Sequence, residues 1–386
     1  MNEEFNRLRL IRSANVGPVS YVQLVRRFGS AGKALEMLPE LAARGGGRAP
    51  RISDADAVRR EMDAARKLGA QYLFLGDPDY PYLLAQLSNA PPALIYRGNL
   101  SLLSHPTVAI VGARNASAAA CRFSRDLANS LMNEGVTVVS GLARGIDTAA
   151  HQGSISKSAV AVIAGGIDVY FPPENQSLQE QIARDGLLLA EQPPGTEPRA
   201  RHFPYRNRII AGLAQGTIVV EAAPKSGSLI TARLAAEAGR HVMAVPGSPL
   251  DPRSRGCNGL IREGATLIQS VDDIMELISH FDERAAGADF AYDLFETQSH
   301  PEKLREIPQN SNDNMNIGMD MGIDDTDIDN AARQSLTSLL SMTPVSVDEL
   351  VRQSRLPAAS VQMMLLELEL AGRLSRHAGA RVGLAG

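Results

Sequence analysis

The chain has 386 residues, 44% of them hydrophobic, which is too long for one ordinary domain and rich enough in apolar side chains to build two or three real cores. Its two cysteines, Cys121 and Cys257, fit neither a disulfide framework nor a metal cluster and point to a reducing compartment. Glu3 and Glu4 at the start, and the lack of any apolar run of about 18 residues, argue against a secretory leader and a membrane span, so a cytoplasmic protein with no membrane partner is expected despite an unremarkable net charge of −4.

In chain order, residues 5–43 read as short helices, with Arg7-Leu8-Arg9-Leu10-Ile11 and Tyr21–Phe28 punctuated by Gly17-Pro18 and Gly29. The Asn15-Val16-Gly17-Pro18 turn reads first as a packing feature, with a phosphate contact as the alternative. A further helix is expected over Asp54–Leu68, with Ser53 placed to cap it, and residues 69–104 read as Pro-rich and irregular. From Val108 short apolar runs alternate with helical patterns. Strands are expected at Val108–Val111, Thr137–Val139, Ala159–Ile163, Leu187–Ala190, Thr217–Glu221 and His241–Val245, with helices near 118–133, 147–155, 176–184, 204–214 and 228–239. Strands that are apolar throughout, separated by helical crossovers, predict an α/β domain over 105–280 with a doubly wound parallel sheet covered on both faces. Residues 281–332 lose all periodicity and predict a flexible acidic linker. Ser335–Leu340, Val347–Gln353 and Ala358–Leu370 read as three helices, and the tail 372–386 as a hairpin, together a winged helix over 333–386.

Charge divides along the same lines. Residues 1–104 hold 14 Lys/Arg against 10 Asp/Glu, residues 105–280 hold 16 of each, residues 281–332 hold 3 against 13, and residues 333–386 hold 6 against 4. The linker alone makes the chain acidic.

Four strand ends carry loops suited to phosphate. The first strand runs through Gly112-Ala113-Arg114-Asn115-Ala116-Ser117 into a helix, the place where doubly wound sheets seat phosphates. A dinucleotide site needs two further glycines and an acidic residue about 20 positions on; here Arg114 takes the second glycine's place and the second strand ends in Ser140-Gly141. Arg114 adds a bidentate donor that suits a charged backbone instead. Ser140-Gly141-Leu142-Ala143-Arg144, Gly165-Gly166 and Lys225-Ser226-Gly227-Ser228 with Thr231 stand at the same edge. The most basic stretch, Arg199, Arg201, His202, Arg206 and Arg208, lies beside them, interleaved with Phe203 and Tyr205. Arg208 is also placed to pair with Glu221 or Glu191, and one of the two aromatics is expected in the core.

Taken together these strings resemble the DprA/Smf DNA-processing proteins of bacteria. The resemblance rests on Gly112-x-Arg114-x-x-Ser117, Ser140 through His151, Phe203-Pro-Tyr-Arg206-Asn207 through Leu213, and Ser226-Gly-Ser-Leu-Ile-Thr231-Ala, extended by Val245-Pro-Gly247 and Asn258–Ile261. It implies an extended Rossmann-like domain, a sterile-alpha-motif-like domain with a connector in front over 1–104, and a winged helix behind. It also implies single-stranded DNA as ligand, RecA recombinase as the protein it loads, a homodimer, and single-strand-binding protein as a further partner in natural transformation. DNA and phosphate contacts are assigned to Gly112, Arg114, Ser117, Ser140, Gly141, Arg144, Gly165, Gly166, Arg201, Phe203, Arg206, Asn207, Lys225, Ser226, Gly227, Ser228 and Thr231. Where many relatives place a basic residue after the third strand, this chain has Phe171-Pro172-Pro173-Glu174-Asn175.

No cofactor, metal or catalytic group is expected, since no nucleophile elbow, P-loop or carboxylate pair appears. Asp147 and His151 share a helix face, without a third ligand to complete a metal site. The competing reading is a nucleotide-binding or nucleotide-hydrolysing enzyme of the related Rossmann group, against which Ala164-Gly165-Gly166-Ile167-Asp168 lacks the Gly-Thr such loops carry. A transcription regulator is disfavoured because Ala358–Leu370 holds Glu367 and Glu369 but no cation.

Overall fold

The computed structural model describes residues 2–48, 50–281, 325–377 and 379–385. Most of the expected acidic linker, residues 282–324, lies outside the described residues. The chain forms two compact units, one drawn from its two ends and one from Asp56 onward through the middle.

The terminal unit starts with α1 (Glu3–Ile11), α2 (Pro18–Phe28) and α3 (Ala31–Arg44). The middle unit runs through α4 (Ala55–Lys67), β1 (Gln71–Phe74), α5 (Tyr82–Ala85), β2 (Ala93–Gly98), β3 (Thr107–Gly112), α6 (Ala118–Asn133), β4 (Thr137–Ser140), α7 (Ile146–Ser154) and β5 (Ala159–Gly166). It continues with α8 (Gln176–Asp185), β6 (Leu187–Gln192), α9 (His202–Leu213), β7 (Gly216–Val220), α10 (Gly227–Glu237), β8 (His241–Ala244), α11 (Arg255–Arg262), β9 (Thr266–Leu267) and α12 (Val271–Ser279). The terminal unit resumes with α13 (Asp325–Ser338), β10 (Val345–Ser346), α14 (Val347–Ser354), α15 (Ala358–Leu370), β11 (Leu374–His377) and β12 (Arg381–Leu384).

One nine-stranded sheet, ordered β1-β2-β6-β5-β4-β3-β7-β8-β9, organises the middle unit. Strands β3 to β9 pair in parallel, and β4, β5 and β7 are buried along their whole length, as expected for strands covered on both faces. From β3 the chain steps outward through β4, β5 and β6, then returns to the other side of β3 as β7. The crevice at the carboxyl ends of these strands is therefore a topological switch point, where such sheets bind ligands. Val108, Ile110, Leu131, Ile146 and Ile218 lead the core on one side, and Ile163, Ile182 and Leu188 on the other.

Three expectations are corrected. Residues 69–104 are not irregular: β1 and β2 lie within them and extend the sheet, β2 antiparallel to β6 and β1 antiparallel to β2. Their short lengths and the flanking Pro91-Pro92 hid them. The sheet also gains β9 as a two-residue edge strand. Residues 325–332, read as linker, form the first half of α13.

In the terminal unit α15 is rich in apolar residues and buries two of its faces. Val361, Leu365 and Leu368 pack with Leu336, Leu350 and Val382 in the winged helix. Leu366 and Leu370 instead enter the core that Leu10, Tyr21, Leu24, Leu38 and Leu41 build in α1–α3. Polar contacts support this joint: Gln23 Nε2 donates to Gln362 Oε1 at 2.8 Å, and Asn15 Nδ2 to the Leu370 carbonyl at 3.1 Å. The turn at Asn15 is a packing feature here. Glu367 and Glu369 are paired within the winged helix to Arg333 (3.0 Å) and Arg376 (2.7 Å).

Candidate nucleic-acid interface

The carboxyl edge of the sheet holds a cavity of about 390 Å³, in the range of ordinary ligand sites. Arg114 and Asn115 follow β3; Gly141, Ala143 and Arg144 follow β4; Ile163, Ala164 and Gly165 end β5. Val169, Phe171, Pro172, Pro173 and Pro198 form an apolar wall, and Phe203 and Arg206 enter from α9. The Phe171 and Phe203 rings stand 5.7 Å apart at 60°, and the Arg114 guanidinium lies 5.2 Å from the Phe203 centroid. Aromatic faces next to guanidinium groups suit a nucleobase with its phosphate alongside.

Buried charges set the shape of this cavity. Arg206 is 6% exposed, and its guanidinium donates to the carbonyls of Gly141 and Val162, the latter at 3.0 Å. Burial lowers its pKa to about 10, the Asp147 carboxylate opposes that shift, and Arg114 adds to it. Arg206 therefore stays charged at neutral pH. Asp147 Oδ2 accepts from the Gly141 amide at 3.1 Å and the Ala143 amide at 3.4 Å, holding the loop after β4. Burial raises the Asp147 pKa, while Arg206 and those two amides lower it. Gly141 is required here, because a Cβ would stand 1.8 Å from the Arg206 guanidinium. His151, one turn along α7, is fully buried, and neither ring nitrogen has a hydrogen-bond partner among the described residues. Burial, and then Arg206, push its pKa down to about 3, so it is neutral.

The structure brings Arg114, Gly141, Arg144, Gly165, Phe203 and Arg206 onto one cavity. Arg144 is exposed and paired with Glu174. The other residues read from sequence stand off the lining. Ser117 donates its amide to Glu221 Oε2 at 2.8 Å and its hydroxyl to Glu221 Oε1 at 2.6 Å. Ser140 Oγ donates to the Ile110 carbonyl at 2.6 Å. Gly112 and Gly166 approach backbone, while Arg201 is exposed with its Nε 3.4 Å from His202 Nε2. Asn207 Nδ2 reaches the Gly227 carbonyl at 3.5 Å, tying α9 to the loop that starts α10. In that loop Ser226 caps the helix through the Ser228 amide, Thr231 is buried, and Lys225 is exposed. Arg208 pairs with Glu191, not Glu221, and serves the fold. Tyr205 is exposed and Phe203 lines the cavity, so neither is a core aromatic.

Sequence reasoning missed the Phe171, Pro172 and Val169 wall and the Ser117–Glu221 clasp. The signal for the wall was a large aromatic in a Pro-rich loop at a strand end; for the clasp there was none.

Residues 71–279 match the family described as DNA recombination-mediator protein A. Residues 1–64 match a DprA-like N-terminal HHH domain, and residues 324–380 a DprA winged helix domain. The chain belongs to the DprA/Smf family. DNA processing protein DprA of Streptococcus pneumoniae is 48% identical over 201 residues, 52% of this chain and 71% of that protein. Protein Smf of Synechocystis is 35% identical over 332 residues, 83% of this chain and 81% of the relative. Among solved structures, the X-ray structure of the S. pneumoniae DprA matches with a TM-score of 0.60 at 35% identity, covering 73% of this chain and 98% of that one. Helicobacter pylori DNA processing protein A, described for its single-stranded DNA binding mode, matches with a TM-score of 0.51 at 28% identity, covering 55% and 98%. The DprA/Smf fold accounts for the parallel sheet, the helical N-terminal domain and the winged helix alike. Among the described residues no helix is long and apolar enough to cross a membrane.

Proposed function

We propose that this protein is a cytoplasmic, non-enzymatic single-stranded-DNA-binding protein that protects incoming DNA and loads RecA recombinase onto it, acting as a homodimer. The observation that carries the reading is the cavity: two phenyl rings and a proline wall beside three guanidinium groups, at the sheet edge where ligands dock. An unstacked base stacks on the exposed face of Phe171, while Arg114 and Arg144 meet the backbone phosphates. Paired bases of a duplex have no such free faces. The cavity lining offers cations and apolar faces but no carboxylate, imidazole, thiol or hydroxyl, which supports binding without chemistry. The DNA-processing relatives and the recombination-mediator family support the RecA role, with single-strand-binding protein as a further partner. Exposed Leu267 on the edge strand β9 supports pairing of two copies.

A titration with single-stranded and blunt duplex oligonucleotides at several salt concentrations tests this. Single strands are expected to bind far better, without sequence preference, and log affinity to fall linearly with log salt by about 0.7 per phosphate neutralised. Equal affinity for both forms would sink the proposal.

A further inference from the structure

In doubly wound sheets the helix that follows the first strand offers its N-terminus to a phosphate, because its first amides lack intrahelical partners and carry the positive end of the helix dipole. In this chain that position is α6, and an internal anion already occupies it. The Glu221 carboxylate accepts both the Ser117 amide (2.8 Å) and the Ser117 hydroxyl (2.6 Å), while the same Ser117 oxygen caps the Ala120 amide at 3.1 Å. Glu221 reaches this seat from the end of β7 with φ at +50°, a left-handed conformation that non-glycine residues seldom adopt. The turn before it is filled as well. A Cβ at Gly112 would lie 1.9 Å from the Val220 carbonyl oxygen and 2.6 Å from Ile146 Cγ1, so the start of α7 packs over the turn. The Ile146 amide lies 3.3 Å from the Ala113 carbonyl and closes that side.

We propose that Glu221 is a specificity-determining residue whose carboxylate takes the place of a phosphate at α6 and keeps free nucleotides and inorganic phosphate from docking there. Anionic ligands are then left to the neighbouring cavity, where Arg114, Arg144 and Arg206 stand. This inference goes beyond the DNA reading and does not depend on it. It explains how a sheet with nucleotide-site topology avoids capture by the small phosphates that would compete with DNA at its edge.

The test is anion rescue in the full-length chain, with inorganic phosphate as the probe and chloride of equal ionic strength as control. Glu221→Gly removes the carboxylate and suits the left-handed backbone; Glu221→Asn is a second variant that tolerates the same φ and keeps a side chain. Wild type is expected to melt at the same temperature in phosphate and in chloride. Both variants are expected to melt higher in phosphate and to bind it at least about tenfold more tightly than wild type by calorimetry. A variant that folds only when phosphate is present supports the inference equally. Folded variants indifferent to phosphate, or the same phosphate affinity in wild type and variants, would overturn it. Single-stranded DNA affinity is measured alongside: its absence in wild type would defeat the proposed function, while the phosphate arm would still decide the role of Glu221.

Discussion

Two helices in this chain stand where nucleic acid is expected, and they treat charge in opposite ways. Helix α9 carries Arg206 into the protein interior, holds it on the Gly141 and Val162 carbonyls, and so presents a fixed cation to the cavity. Helix α15 occupies the recognition position of a winged helix, yet its outward face is Leu366 and Leu370, seated among the N-terminal helices. Its two glutamates are already paired with Arg333 and Arg376. Motif and position alone therefore mislead. A surface suits DNA when its cations are held by groups other than the ligand and it keeps an aromatic face open, and among the described residues the sheet-edge cavity meets both conditions.

The sharpest way to break this contrast is to remove the buried cation. Arg206→Ala leaves Asp147 buried without its nearest opposite charge and frees the loop after β4. Loss of about 3–5 kcal/mol of stability is expected, read as a lower melting temperature together with lost DNA binding. A variant that melts like wild type would show that Arg206 does not organise the cavity.

Leu366→Asp attacks the other helix. Putting a carboxylate into the shared core of the terminal unit is expected to cost about 3 kcal/mol, with early melting of that unit. Single-stranded DNA affinity is expected to stay within about twofold of wild type, because α15 lies outside the proposed interface. A large loss of affinity would reverse the comparison between the two helices.

Arg114→Ala separates contact from support. Arg114 is exposed and leans on the Phe203 ring, so its removal is expected to leave the melting temperature unchanged while weakening single-stranded DNA binding about ten- to hundredfold. Unaltered binding at moderate salt would make Arg114 structural.

His151 gives the same contrast a pH signature. Its folded pKa of about 3 lies below the usual 6.5, so the unfolded chain takes up a proton that the folded chain refuses. Stability is therefore complete above about pH 6.5 and is lost as pH falls toward 3, by about 2 kcal/mol between pH 7 and pH 5. Asp147, raised by burial, acts in the opposite sense, so the informative measurement is the difference between wild type and His151→Gln. The variant is expected to show a flatter melting-temperature profile over that interval; an identical slope would mean that His151 ionises in the folded protein.

Much of the middle unit was legible because its strands are short, wholly apolar and separated by helical periods, so each Val and Ile run from Val108 to Val245 marked itself. Arg114, Gly141, Arg144, Gly165, Phe203 and Arg206 were legible because strand-end loops in such sheets converge whatever their sequence. What stayed hidden depends on contacts between distant residues. Ser117 and Glu221 are 104 positions apart, and nothing near Ser117 reveals that its donors are engaged. Strands β1 and β2 carry too few residues to outweigh the prolines around them. The absence of cations from α15 was visible; that the N-terminal helices cover it was not, since Leu366 and Leu370 look the same whichever partner buries them.

Photocrosslinking of a single-stranded oligonucleotide carrying 4-thiothymidine to the full-length protein, with mapping of the attached peptides, tests the cavity as the DNA site most directly. Crosslinks are predicted at Phe171 and Phe203, the two rings of the cavity, and are predicted to disappear in Arg114→Ala at moderate salt. Crosslinks confined to α15, or to Lys225–Thr231 with none at Phe171 or Phe203, would contradict the assignment of the cavity as the DNA site.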